Sequence, residues 1–207
     1  MRLLVATRSE HKLAEIREIL SDLAGVEVVG LDDVGIEYEA AEDDLEPYAT
    51  FEENASSKAR YFRDRSGLPT VSDDSGIEVD ALDGAPGVHS KRFAPPSDEV
   101  SDRDQANNLH LLRLLDGVED PARTARYQCV AVFIDGDSRP WTFRGAVEGR
   151  IQRAPEGDGG FGYDPLFFVP DLGRTFGRSS NEEKHRLSHR GRAFRALGGH
   201  LRTGASE

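Results

Sequence analysis

The residues best placed to do chemistry are two adjacent carboxylates, Asp73 and Asp74, in the run Ser72-Asp73-Asp74-Ser75-Gly76. They follow Thr70-Val71, which begins an apolar strand, and Gly76 predicts a turn behind them. Neighbouring carboxylates at a strand end are costly to bury alone. A divalent cation is the usual remedy, since Mg²⁺ takes one or two carboxylates and completes its shell with phosphate oxygens and water. A solvated Asp-Ser-Gly turn uses the same letters.

A second candidate is Thr7-Arg8-Ser9-Glu10-His11-Lys12. It reads as a strand running into a helix start, where free N–H groups and the helix dipole attract an anion. Lys12 falls in the first turn, a position unfavourable to a cation unless an anion is present. The plain alternative is an ordinary capped helix, and the missing glycines exclude a Walker A loop. In Gly159-Gly160-Phe161-Gly162-Tyr163-Asp164-Pro165, glycines flank two aromatics, so backbone and ring can approach a planar ligand, although a structural turn with core aromatics fits too. The fourth candidate is Glu182-Glu183-Lys184 followed by Ser188-His189-Arg190-Gly191. With Ser188 as N-cap, His189 and Arg190 are again cations at the wrong helix end, or donors toward a carbonyl-bearing base.

The elements that must position these residues follow from periodicity and caps. Residues 2–6 predict a buried strand. Ser9 caps a helix to about Ser21 with Leu13, Ile16, Ile19 or Leu20 and Leu23 inward, and residues 26–30 predict a second strand. The segment from Asp32 to Glu46 is acidic and irregular. A helix over about 50–65 buries Phe51, Ala55, Ala59 and Phe62, and Gly67-Leu68-Pro69 ends it. Gly84–Gly87 and Pro95-Pro96 mark loops. Ser101 or Asp102 caps a helix to Leu115, and residues 123–136 and 140–153 predict two long strands turned at Asp135-Gly136-Asp137-Ser138. Ser188 caps a last helix burying Ala193, Phe194, Leu197 and Leu201. Early alternation and a late hairpin imply an α/β protein with a mixed sheet.

Composition bounds the function. The 207 residues are 37% hydrophobic and 31% charged, which suits a folded domain. No apolar run approaches the roughly 20 residues of a membrane span, and Leu3–Ala6 is too short for a signal-peptide core. Single Cys129 excludes an internal disulfide and reads as inert core. Cytoplasm is the expected compartment. The net charge of −12 argues against nucleic-acid binding. Only four of the 26 basic residues are lysines, namely Lys12, Lys58, Lys91 and Lys184. An acidic, arginine-rich, lysine-poor chain suggests adaptation to high salt.

Together, T-R-S-E-H-K, F-E-E-N-A-S-S-K-A, S-D-D-S-G-I, G-A-P-G-V-H-S-K-R-F, G-F-G-Y-D-P-L-F-F-V-P and E-E-K-H-R-L-S-H-R-G resemble the inosine triphosphatase family of noncanonical purine NTP pyrophosphatases, from Arg2 to about Leu201. The resemblance implies a mixed α/β fold with a long twisted sheet flanked by helices, a single domain over residues 1–207 with two lobes and a cleft between them, and a homodimer. It implies hydrolysis of ITP, dITP or XTP to the monophosphate and pyrophosphate, with Mg²⁺. Carried over by motif, Asp74 is the proton acceptor and a metal ligand. The Thr7, Arg8, Ser9, Glu10, His11 and Lys12 segment, Ser75 and Lys58 meet the nucleotide, mainly its phosphates. Phe161, Gly162, Tyr163, Asp164, Lys184, His189 and Arg190 hold base and sugar. Glu42 best matches a second metal ligand, with Glu39 and Asp43 as alternatives. Ser9 replaces the family's asparagine and has a shorter reach.

The implied mechanism sends water, oriented by Asp74 alone or together with Asp73, against the α-phosphorus while Lys12, Lys58 and the helix N-terminus hold the phosphates. Rival readings are a Maf-like pyrophosphatase acting on other nucleotides and a nucleotide-binding regulatory module without turnover.

Overall fold

The apolar opening run forms β1, Arg2–Val5, with Leu3, Leu4 and Val5 buried. Ser9 has the extended backbone of an N-cap and its side chain accepts the Lys12 N–H, starting α1, Glu10–Ile19. Helical spacing carries Ile16 and Leu20 into the core. Gly25, at a φ of 77°, then turns the chain toward β2, Glu27–Val29. The acidic segment holds two short 3-10 turns, Asp32–Val34 and Ala40–Asp44. Thr50 caps α2, Phe51–Ser66, whose Phe51, Ala55, Ala59 and Phe62 are buried as their spacing predicts, and left-handed Gly67 ends it.

The computed structural model describes residues 1–96, 100–136 and 139–204. Within it, β3 departs from the sequence expectation. It runs over Thr70–Val79, straight through both carboxylates and Gly76. Ile77 and Val79 beyond them are wholly buried, and Gly76 lacks the positive φ that the expected turn would favour. Burying those two branched side chains in a strand outweighs the turn signal of Asp-Ser-Gly.

Asp102 caps α3, Arg103–Leu114, by accepting the Gln105 N–H. The long strands are β4, Thr124–Ile134, and β5, Pro140–Ile151. Of the turn expected between them, Asp137 and Ser138 lie outside the described residues. Two short strands follow, β6, Phe167–Val169, and β7, Arg174–Thr175. A helix the sequence reading did not anticipate, α4, spans Asn181–Leu187, started by a reciprocal capping box between Ser180 and Glu183. Ser188, expected to cap the last helix, closes α4 through its backbone N–H to the Lys184 carbonyl, and α5, His189–Gly204, begins immediately after it.

Among the described residues, seven strands form one sheet in the order β2-β1-β3-β4-β5-β6-β7. Parallel pairing of β1 with β2 and β3, and antiparallel pairing of β6 with β5 and β7, make it mixed. The chain divides into two compact units. The first comprises residues 1–74, 129–145 and 190–207, with Leu3, Val5, Ile16, Val71, Phe133 and Phe194 in its main core. The second comprises residues 75–128 and 146–189, around Ile77, Leu111, Tyr127, Phe167 and Phe176. No helix among the described residues is long and apolar enough to cross a membrane.

Candidate active site

In the first unit, Asp73 and Asp74 are consecutive on β3, so their side chains leave opposite faces of the strand. The Asp73 side chain is 0% exposed and its Oδ2 accepts Lys12 Nζ at 3.0 Å and Arg190 Nη2 at 3.4 Å, with Cys129 Sγ at 3.7 Å. Burial alone would raise its pKa, but Lys12, Arg190 and Lys58 override that and hold the carboxyl far below the usual range. Asp73 is a permanent buried anion. Its thiol neighbour shows the converse, because burial and the Asp73 charge push Cys129 up, which agrees with an inert thiol.

Asp74 faces other company. Burial raises its pKa and Glu46 adds to this, outweighing Lys58, Lys12 and the hydrogen bond from Asn54 Nδ2 to Oδ2 at 3.0 Å. A carboxylate raised in this way holds a proton more strongly than a solvent-exposed aspartate does, as a general base requires. Lys58 forms an ion pair with Glu46 and donates to the Asp73 backbone carbonyl at 2.7 Å. Burial lowers the Lys58 pKa, yet Glu46, Asp74 and Asp73 together raise it, so it is a firm cation.

Other expected residues of this unit are placed as follows. Thr7 Oγ1 accepts the Ser9 N–H at 3.1 Å, bracing the α1 N-terminus. Glu10 and His11 are exposed on its first turn. The Arg8 guanidinium is engaged by Glu42 through two bonds, at 3.0 and 2.7 Å, and by the Ile36 carbonyl at 2.9 Å. Glu42, the expected second metal ligand, is thereby bound to Arg8 and to the Glu39 N–H, with its side chain 7% exposed. Glu39 is paired with Arg65, and Asp43 bonds Tyr38. The acid that reaches the Asp74 and Lys58 environment is Glu46, which the sequence reading passed over. Its one signal was being the last acid before the Thr50 cap, and nothing in a long acidic run says which member faces α2.

Arg190, expected beside His189 at the base, is 1% exposed in this unit, with its guanidinium on Glu15 and Asp73. Burial opposes its charge, but Asp73 and Glu15 raise its pKa further.

In the second unit, Ser75 is half-buried on β3. The glycine-rich loop supplies a compact group of donors and rings. Asp164 Oδ2 accepts the Phe161 N–H at 2.9 Å and Lys184 Nζ at 2.6 Å, and that ammonium lies 4.5 Å from the centre of the Phe161 ring. A side chain at Gly160 would strike the Asp164 carboxylate at 2.1 Å, so this approach demands glycine. Tyr163 donates its hydroxyl to the Ser90 carbonyl at 2.8 Å. The His189 ring stacks on Tyr127, 4.7 Å between centres and 6° from parallel. Phe161, Gly162, Tyr163, Asp164, Lys184 and His189 thus share one unit, joined by Tyr127, which no motif contained.

A sequence model described as the Ham1 family matches residues 3–200. A dITP/XTP pyrophosphatase of Thioalkalivibrio sulfidiphilus is 43% identical over 95% of this chain and 96% of its own. One from Shigella flexneri is 42% identical over 98% and 99%. Among solved structures, a HAM1 protein from Coxiella burnetii has a TM-score of 0.83 at 34% identity, covering 98% of this chain and 99% of its own. A nucleoside-triphosphatase / dITP/XTP pyrophosphatase from Mycobacterium abscessus has a TM-score of 0.72 at 41% identity, over 95% and 98%.

Proposed function

The chain belongs to the Ham1 family, and from that premise we propose that it hydrolyses dITP, ITP and XTP to the monophosphate and pyrophosphate. One observation carries the reading: two neighbouring carboxylates have opposite surroundings, Asp73 bonded to Lys12 and Arg190, and Asp74 buried on Asn54 with its pKa raised, as a base would need. A lone solvated turn would not separate them.

The first unit is assigned the phosphates. Lys12 and Lys58, with the Ser9-capped N-terminus of α1, hold the triphosphate. Asp74 takes the proton of the attacking water. The oxygen of that water bonds the α-phosphorus, the bond from the α-phosphorus to the α,β-bridging oxygen breaks, and pyrophosphate leaves with that oxygen and the electron pair. Asp74 and Glu46 are hard oxygen donors beside the lysines that would grip phosphate, which fits Mg²⁺ completed by phosphate oxygens and water. Bound there, the cation would offset the charge of the leaving group. Glu46 replaces Glu42 in this assignment because Arg8 already engages Glu42.

The second unit is assigned base and sugar, through Phe161, Gly162, Tyr163, Asp164, Lys184 and His189. A donating His189 suits the 6-oxygen of hypoxanthine or xanthine and leaves the 6-amino group of adenine unmatched. We propose a cytoplasmic homodimer adapted to salt, on family resemblance and composition.

The test is a panel of ITP, dITP, XTP, GTP and ATP with Mg²⁺, with the products identified. Pyrophosphate and monophosphate should appear with the 6-oxo purines ITP, dITP and XTP well ahead of ATP. A diphosphate with orthophosphate as primary products, or binding without turnover, would overturn the reading.

A further inference from the structure

The glycine-rich loop is gripped from a side that no motif described. Gly162 has a φ of 62°, and both halves of its backbone are taken by α3. Its N–H donates to Asp104 Oδ2 at 2.6 Å, and its carbonyl accepts Asn108 Nδ2 at 2.9 Å. Asp104 and Asn108 are four residues apart, so they share one helix face. The Asn108 Oδ1 is buried and finds no hydrogen-bond partner among the described residues. Turning the amide over would set oxygen against the Gly162 carbonyl, so its orientation is dictated by the grip on Gly162.

The helix is itself bolted down. Asn107 accepts the Ala94 N–H at 2.8 Å and donates to the Ser90 carbonyl at 3.3 Å and the Lys91 carbonyl at 3.2 Å, and Arg103 donates to the Ala94 carbonyl at 2.6 Å. Ser90 also receives the Tyr163 hydroxyl. The loop is therefore held from several sides, by Lys184 on Asp164, by the Ser90 carbonyl that takes the Tyr163 hydroxyl, by Gly177 through backbone bonds, and by α3 on Gly162.

We propose that Asp104 and Asn108 are positioning residues for base recognition: they fix the Gly162 peptide between Phe161 and Tyr163, and thereby the ring and backbone donors that meet the purine. The proposal rests on the assignment of this loop to the base. An acceptor at position 104 and a donor at position 108 are needed, because the glycine backbone presents one of each and a left-handed glycine has no side chain to steady it.

The test compares Asp104→Ala, Asp104→Asn and Asn108→Ala in the whole protein, reading KM and kcat for ITP and product inhibition by inosine monophosphate and by pyrophosphate. Asp104→Ala should raise KM and weaken inhibition by the monophosphate about tenfold, the scale of a lost charge-assisted hydrogen bond. Inhibition by pyrophosphate, which carries no base, should stay within twofold or so, and so should kcat. Asp104→Asn, which keeps an acceptor, should recover most of the loss. Asn108→Ala gives an independent reading if Asp104→Ala does not fold. Unchanged monophosphate inhibition in a folded variant, or equal weakening by both products, would overturn the proposal. Wild-type protein that releases no pyrophosphate from any 6-oxo purine triphosphate would instead defeat the functional reading beneath it.

Discussion

The two units solve the same problem, holding polar groups out of water, by different means. The first uses charge against charge: Lys12, Lys58 and Arg190 surround Asp73, while Glu46 and Glu15 answer two of those cations. The second has one buried ion pair, Lys184 with Asp164, and otherwise leans on backbone and ring faces: Gly162 between two α3 side chains, Phe161 under Lys184, His189 on Tyr127. Phosphate and purine differ in the same way, one defined by charge and the other by a plane with directed donors and acceptors. A charged network fails when one member is removed, because its partner is left buried and unpaired. A loop held by backbone bonds loosens by degrees.

The largest expected effect strikes the charged unit. Asp74→Asn keeps shape and removes basicity, so kcat should fall by roughly 10²–10⁴, the range for a positioned acid–base group. Stability should not fall with it. A carboxyl whose pKa is raised by folding contributes stability at low pH that is lost as pH rises through the folded value, so at neutral pH ionised Asp74 is a cost. Asp73 is the reverse, its contribution present above the unfolded carboxylate value and lost as pH falls. Accordingly kcat/KM should decline on the acid side at a higher pH than an ordinary aspartate would give. Near-wild-type turnover in Asp74→Asn, or an acid limb at the ordinary aspartate value, would move the base elsewhere.

Arg190 tests where the boundary between the two modes lies. The family resemblance implies a base-reading donor beside His189, and its buried guanidinium also bonds Asp73 and Glu15. Arg190→Ala should cost about 3–5 kcal/mol in urea unfolding, as for a broken buried ion pair. It should also slow ITP and ATP by a common factor, since Asp73 and hence Lys12 are disturbed. A stable variant in which selectivity for ITP collapses would restore the base-reading role and break the comparison.

How far the sequence revealed each unit follows from the same difference. Helices α1 and α2 were legible from the Ser9 cap and their apolar spacing, while Asp74 and Lys12 stood out as charges in costly places and Lys58 only through the family resemblance. Helix α4 was not, although Ser180 and Glu183 spelled a capping box. It is seven residues long and its one buried residue is Lys184, so no apolar stripe announced it. The run of β3 through Gly76 was hidden because turn letters and an apolar continuation compete, and only the core decides. Glu46, Asp104, Asn108 and Tyr127 escaped because each acquires its partner through tertiary structure from distant sequence. Motif reading finds groups whose local context is strained, and misses groups whose context is made by the fold.

The smallest expected effect concerns salt, and it separates buried charge from surface charge. The net charge of −12 repels itself across the surface, and screening relieves this. Many exposed carboxylates are already paired with arginine, as in Arg126 with Asp80 and Glu148, Arg144 with Glu52, Arg153 with Asp120 and Arg178 with Glu156. Each such pair is worth at most about 1 kcal/mol and weakens as salt rises, so the two effects oppose. Repulsion is long-ranged and counts every unmatched acid, whereas each pair counts once. The net result should be a melting temperature that rises modestly from dilute buffer to molar KCl. Buried Asp73 lies beyond the reach of screening, so Arg190→Ala should lose nearly the same stability at both salt concentrations. A melting temperature that is flat or falls with KCl would remove the salt-adaptation reading. A penalty for Arg190→Ala that vanishes in high salt would show that the Asp73 network is solvated and that the contrast between the units is overdrawn.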